Sequence, residues 1–119
     1  MAFDWAEYLD LAEWLASQTT EPRREASLRT AVSRAYYAAF CRARNFARDH
    51  RGFVPRDEWS DHGALRRHFA PLRLRWIASE LDDLRQWRNE CDYDDEAPNL
   101  PGMAEQATAS ARRIIEALT

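Results

Sequence analysis

The sequence predicts an all-α protein, an antiparallel bundle of four or five helices in a single domain. Valine and isoleucine together occur only five times in the 119 residues, whereas alanine, leucine, glutamate and arginine, which favour helices, are abundant. Apolar residues recur at intervals of three and four, the period of an amphipathic helix. The five prolines lie at or beside the boundaries of these stripes, so the predicted helices are joined by short connections.

The first two predicted helices are separated by residues 19–22. The first opens at Asp4, whose side chain suits a helix start, and ends before this segment. The second takes Pro22 as its first turn, where the missing N–H costs nothing, and runs to about Asp49. Its apolar stripe comprises Leu28, Val32, Ala35, Tyr36, Ala39, Ala43, Phe46 and Ala47.

Three further helices follow the second. A short one is capped by Ser60 or Asp61 and runs to Phe69, where Pro71 stops it. A fourth ends before residues 94–98, and a last one starts near Pro101. The stripe of the fourth consists of Leu74, Ile77, Leu81, Leu84 and Cys91; that of the last consists of Met103, Ala107, Ala111, Ile114 and Leu118.

Charge is unevenly distributed along the chain. The net charge is −3 and all 17 basic residues are arginine, a bias that codon usage alone can produce. Residues 23–75 nevertheless carry a net charge of +8, and residues 80–96 carry −6. A basic segment of this density attracts phosphate backbones, or it pairs with acidic helix ends of its own fold, and both interpretations stay open.

The sequence lacks the signals that are typical of several classes of protein. No apolar run approaches the roughly 18 residues of a membrane span, and the N-terminus is acidic, so we expect no membrane association. Cys41 and Cys91 are isolated, which indicates a reducing, cytoplasmic setting. There is no glycine-rich phosphate loop, and the three histidines show no ligand spacing, so we expect no cofactor and no metal. His62, followed by Gly63 at a helix start, is the histidine of interest.

The fourth helix carries charged residues where its apolar stripe continues. On a helical wheel the stripe leads into Arg88 and Asp92, which lie one turn apart on the inward face, and Arg85 borders it. A buried charge needs a partner, so these two side chains pair with each other, with another polar group or with a ligand. Asn89 and Tyr93 add polar groups at the same helix end. The alternatives are a ligand site and an internal salt bridge.

A second face of the second helix is also unusual. Opposite its core stripe it presents Arg34, Tyr37, Cys41, Arg44 and Arg48. A tyrosine among arginines is typical of interface cores, so this face is predicted to bind a partner, with an inert surface as the alternative.

Three segments, taken in order and spacing, resemble the HEPN domain superfamily, and its small stand-alone prokaryotic members in particular. They are residues 33–40 (SRAYYAAF), 62–65 (HGAL) and 84–93 (LRQWRNECDY), and the resemblance extends over residues 5–118. It implies a helical bundle that forms a homodimer with a cleft between facing helices. Many HEPN proteins are metal-independent ribonucleases, often toxins encoded beside a nucleotidyltransferase antitoxin; others are non-catalytic binding modules.

The catalytic signature of that family is an arginine, four to six residues, and then a histidine. Arg88 matches its start, but the positions for histidine hold Tyr93, Asp94 and Asp95. In a ribonuclease of this kind Arg88 would stabilise the phosphorane-like transition state, and Asp92 or His62 would take the proton of the ribose 2′-hydroxyl. Cleavage would leave a cyclic phosphate without a metal, and a base would stack on Trp59, Tyr37 or Tyr93.

The alternative that the resemblance implies is a non-catalytic module that binds a nucleotide or a partner such as a nucleotidyltransferase. Tyr93 then becomes an acceptor for nucleotide transfer. The residues expected to bind in either case are Arg34, Tyr37, His62, Arg85, Asn89 and Tyr93.

Overall fold

Five α-helices with short connections make up nearly all the regular structure of the described residues. The computed structural model describes residues 2–18, 22–69 and 72–119, and every secondary-structure element in those ranges is helical, which confirms the predicted all-α class. The predicted stop at Pro71 and the predicted joint at residues 19–21 lie outside those ranges. The elements are α1 (Ala6–Ala16), α2 (Arg24–His50), α3 (Asp61–Phe69), a 3-10 turn (Leu72–Leu74), α4 (Arg75–Tyr93) and α5 (Leu100–Ala117).

Two helices begin two residues later than the sequence predicts. Asp4 precedes α1, and its Oδ1 accepts a hydrogen bond from the amide of Ala6 at 3.1 Å, so it satisfies a helix donor from outside the helix. Pro22 lies in the turn before Arg24, where α2 starts. The end of α2, both ends of α3, the end of α4 and the start of α5 agree with the prediction to within one residue.

The long helix α2 lies at the centre of the bundle and packs against each of the other four helices. Small side chains make this possible, because they let neighbouring helix backbones approach closely. Larger side chains, among them Val32 and Tyr36, fill the space between the layers and are at most 1% exposed. The fully buried alanines of α2 are Ala31, Ala35, Ala38, Ala39, Ala43 and Ala47.

Part of the predicted partner face of α2 contacts α1 and the residues that precede it. Cys41 is only 5% exposed. The guanidinium of Arg34 lies 5.0 Å from the ring centroid of Tyr8, and that of Arg44 lies 5.6 Å from Trp5. These rings belong to an edge-to-face aromatic cluster with Phe3 that packs α1 onto α2. The periodicity of α2 shows which residues oppose its main stripe, but it does not show that another helix contacts some of them.

Within the residues that the structure describes, no helix is both long enough and apolar enough to cross a membrane. Cys41 and Cys91 are free and buried. Burial raises the pKa of both thiols, that of Cys91 to about 11. Both cysteines therefore act as small core residues.

Arg29 of α2 holds the C-terminal end of α4. Its Nη1 donates to the carbonyl oxygens of Cys91 at 2.9 Å and Asp94 at 2.6 Å, and its Nη2 donates to that of Asp95 at 3.0 Å. The last turn of α4 has no basic residue of its own, so this guanidinium supplies both the missing donors and the positive charge that a helix C-terminus favours. The contact fixes the end of α4 that carries Arg88.

We expect Arg29→Ala to lower the free energy of unfolding by about 2–3 kcal/mol, because a hydrogen bond to a charged group contributes about 1.5–3 kcal/mol and several carbonyls lose their donor here. Urea denaturation followed by circular dichroism measures the change. Arg48→Ala is the matched control, since Arg48 is exposed and pairs only with its neighbour Asp49 among the contacts described. Equal stability of the two variants would contradict the role of Arg29.

Candidate functional site

Residues from three separate segments of the sequence meet at one cleft between α2, α3 and α4. The cleft has a volume of about 660 Å³. Six of the eight predicted site residues line it: Tyr37, His62, Arg85, Arg88, Asn89 and Tyr93. The three segments on which the family resemblance depends are thus brought together in space.

The cleft also contains residues that were not predicted as site residues. Arg66 and Arg67 come from the last turns of α3, and Ser60 and Gly63 come from its start. Arg66 follows His62 by four residues, a spacing that places both on one helix face and could have identified it. Trp59, expected only as a stacking residue, lies at the rim with 87% of its surface exposed.

Arg88 lies inward, as the helical phase predicts, and its charge is incompletely paired. Its side chain is 13% exposed, and its guanidinium carbon lies 5.3 Å from the ring centroid of Tyr36, 5.5 Å from Tyr37 and 6.0 Å from Tyr93. The predicted ion pair with Asp92 has an N–O distance of 4.0 Å, the outer limit of such a contact. The buried Nε has no hydrogen-bond partner in the described residues. Aromatic faces therefore help to stabilise this cation beside a loosely paired carboxylate.

Asp92 and Arg34 are the two predicted site residues that lie outside the lining of the cleft. The Asp92 side chain is 31% exposed, and its Oδ2 accepts a hydrogen bond from the hydroxyl of Ser33 at 3.3 Å. Arg34 contacts Tyr8 of α1, as described above. Asp92 thus orients Arg88 from one side, whereas Arg34 faces a different neighbour.

His62 is held in place by its neighbours on α2. Its Nδ1 is hydrogen-bonded to the hydroxyl of Tyr36, and its ring stacks on Phe40 with centroids 4.3 Å apart and an interplanar angle of 14°. Burial lowers the pKa of His62, and the positive charges of Arg88 and Arg66 lower it further. The imidazole is therefore neutral at pH 7.

The tautomer of His62 follows from its partner. Burial raises the pKa of Tyr36 well above its ordinary value, so the phenol keeps its proton. Its hydroxyl has no other acceptor among the hydrogen bonds of the described residues, so we infer that it donates to Nδ1 of His62. Nε2 then carries the ring proton, and His62 offers the cleft a hydrogen-bond donor.

Asp82 organises two of the arginines from outside the cleft. Its Oδ1 accepts a hydrogen bond from Nη2 of Arg85 at 3.0 Å and lies 3.6 Å from Nε of Arg66. The bond from Arg85 holds the pKa of Asp82 below its usual range, so the carboxylate stays charged. The described lining itself contains four arginines and no carboxylate.

Comparison with known proteins adds nothing to this geometry. No family model, curated protein or solved structure matches the chain. Among the residues described, no group of three or more histidine, cysteine, aspartate or glutamate side chains is arranged to hold a metal ion. What the cleft binds has to be inferred from its own side chains.

The side chains of the cleft suit a ligand that combines phosphate with a flat ring. Guanidinium groups donate in a planar fork that matches two phosphate oxygens, and the Nε2–H of His62 adds a neutral donor. Trp59 and Tyr93 are 87% and 73% exposed, so their faces are open to stacking. Ligands in which phosphate groups are joined to aromatic bases match both features of the cleft.

We expect His62 to make stability depend on pH. Because its pKa is lowered in the folded state, the unfolded chain binds more protons below about pH 6.5, the ordinary histidine value. The contribution of neutral His62 to the free energy of unfolding is complete above that pH and is lost as the pH falls through the pKa of the folded state. In urea denaturation at pH 7.5 and 5.5, His62→Gln should show a smaller loss of stability than the wild type. An identical loss in both proteins would contradict a half-buried, neutral His62.

Proposed function

We propose that this chain is a HEPN-type helical protein whose cleft binds RNA through its phosphodiester backbone. The observation that carries the proposal is Arg88, a largely buried guanidinium with a carboxylate at 4.0 Å and a buried Nε that has no acceptor among the described residues. A buried charge in this state gains free energy when an anion arrives. Arg66, Arg67 and Arg85 line the same cleft and raise its affinity for a phosphate chain.

Single-stranded RNA fits the cleft better than a duplex does. Bases of a single strand are free to stack, and the exposed rings of Trp59 and Tyr93 stand at the cleft where they can receive them. Stacking tolerates any base, so we expect weak sequence preference.

Cleavage of the bound RNA is a second candidate, and one arrangement favours it. His62 comes from α3 yet lines the same cleft as Arg88, so it supplies the imidazole that the signature on α4 lacks. To act as general base, however, Nε2 would have to accept a proton, whereas the bond from Tyr36 leaves Nε2 protonated. Binding is therefore the function that the geometry supports best.

The homodimer and the nucleotidyltransferase partner that the family resemblance implies stay predictions. Two residues of the predicted partner face of α2 have different neighbours, since Tyr37 lines the cleft and Arg34 contacts α1. Light scattering on Tyr37→Glu tests whether the cleft side mediates association. A dimer with unchanged mass would exclude that surface.

We expect Arg88→Ala to weaken binding of single-stranded RNA at least about tenfold, because a hydrogen bond to a charged group contributes about 1.5–3 kcal/mol. Fluorescence anisotropy in EDTA at several salt concentrations measures it. For every phosphate that a variant no longer neutralises, the slope of log K against log salt should become shallower by about 0.7. Arg67→Ala, at an exposed position of the same cleft, is a second variant that leaves the core intact.

Arg48→Ala is the matched control, because it removes the same charge from an exposed site outside the cleft. If Arg88→Ala and Arg67→Ala both bind RNA as Arg48→Ala does, the proposal fails.

Gel analysis of the same mixtures tests cleavage: degradation of RNA in EDTA by the wild type but not by Arg88→Ala would support it. Loss of that activity in His62→Ala, but not in Asp92→Ala, would assign the base to His62.

A further inference from the structure

A second groove continues from the cleft along the junction of α3 and α4. It has a volume of about 570 Å³ and shares Gly63, Arg66 and Arg67 with the cleft. We propose that the cleft and this groove form one continuous track for an RNA strand of several nucleotides, so that the ligand is a polynucleotide and not a single nucleotide. This inference rests on the proposed RNA binding. The groove is lined in addition by Arg75, Ala78, Ser79 and Asp82.

The two parts of the track join at a position without a side chain. A Cβ on Gly63 would stand 3.6 Å from Nη1 of Arg67 and 3.8 Å from Nη2 of Arg66, so both guanidiniums lie beside the bare helix backbone. An RNA strand that passes over Gly63 would contact the helix backbone there and lie close to the guanidinium groups of Arg66 and Arg67. A long side chain at position 63 would have to occupy this crossing or displace the arginines.

The second groove has the chemistry to hold a sugar–phosphate backbone. Arg75, Ala78, Ser79 and Asp82 recur at the spacing of one face of α4, and Arg75 and Ser79 are exposed on it. Three arginines line the groove against one carboxylate, and that carboxylate is already engaged by Arg85 and Arg66. Its described lining contains no aromatic ring, so base stacking is confined to the cleft.

The track is longer than a nucleotide. Arg75 and Arg88 are both on α4, and at about 1.5 Å per residue the helix separates them by about 20 Å along its axis. Asp82 lies between them and contacts Arg66, which lines both parts, and Arg85, which lines the cleft. It therefore fixes the guanidiniums at the middle of the track relative to each other.

The test compares a dinucleotide with a single strand of about twelve nucleotides, within the usual site sizes of about 4–16. Anisotropy is measured for Arg75→Ala and Gly63→Gln, with Arg48→Ala and Gly63→Ala as matched controls. The Gly63→Ala side chain fits, because its Cβ makes only ordinary contacts. We expect Arg75→Ala and Gly63→Gln to weaken binding of the long strand at least about fivefold. Arg75→Ala should leave dinucleotide binding unchanged, since Arg75 lines only the groove and affects only a ligand that reaches it.

The outcomes separate the two proposals. If Arg75→Ala and Gly63→Gln both bind the long strand as the wild type does, while Arg88→Ala weakens binding of both ligands, the strand ends in the cleft and the inference is overturned, although RNA binding holds. If Arg88→Ala changes neither ligand, RNA binding itself fails. If an oligoglutamate peptide of equal charge displaces the long strand at a lower concentration than unlabelled RNA does, the track is a docking site for an acidic protein, and the inference is overturned. Circular dichroism melting of each variant confirms that binding is compared between folded proteins.

Discussion

The position of α2 constrains everything else in this molecule. It packs against all four other helices, so a polar group on its central turns, residues 31–47, is partly or wholly withdrawn from water and needs a partner from a neighbour. Tyr36 finds His62 of α3, and Ser33 finds Asp92 of α4. Arg29 in turn satisfies the carbonyls at the end of α4. The polar groups of α2 thereby determine where α3 and the end of α4 lie, and the cleft opens between them.

Within that frame Arg88 is the least satisfied charge of the candidate site. A strong internal salt bridge would bring a carboxylate within about 3 Å of the guanidinium and use its outer nitrogens. Here the carboxylate of Asp92 is at 4.0 Å, Ser33 shares its Oδ2, and three tyrosine rings occupy much of the remaining surroundings. A purely structural bridge does not account for this arrangement, because it leaves the buried Nε without an acceptor.

Much of the fold, and the inward phase of Arg88, could be predicted from the sequence because helical periodicity and proline positions are local signals. Contacts between helices are not local. Arg29 caps a helix end more than sixty residues away, and nothing near it marks that role. The contacts of Arg34 with Tyr8 and of Arg44 with Trp5 were missed for the same reason. Arg67 belongs to a short helix whose neighbours the sequence does not specify, so its place in the cleft emerged only with the structure, whereas the four-residue spacing from His62 was a usable signal for Arg66.

The hydrogen bond between Tyr36 and His62 also determines how readily the imidazole of His62 takes up a second proton. Protonation of the imidazole would give an imidazolium whose two N–H groups both donate, and the Tyr36 proton would then lose its acceptor. Burial and the nearby arginines oppose that state in the free protein. A bound phosphate chain offsets the positive field of Arg88 and Arg66, although it does not remove the larger effect of burial. Under the proposed function, RNA binding and protonation of His62 are therefore coupled, and the imidazole would accept a proton more readily in the complex than in the empty cleft.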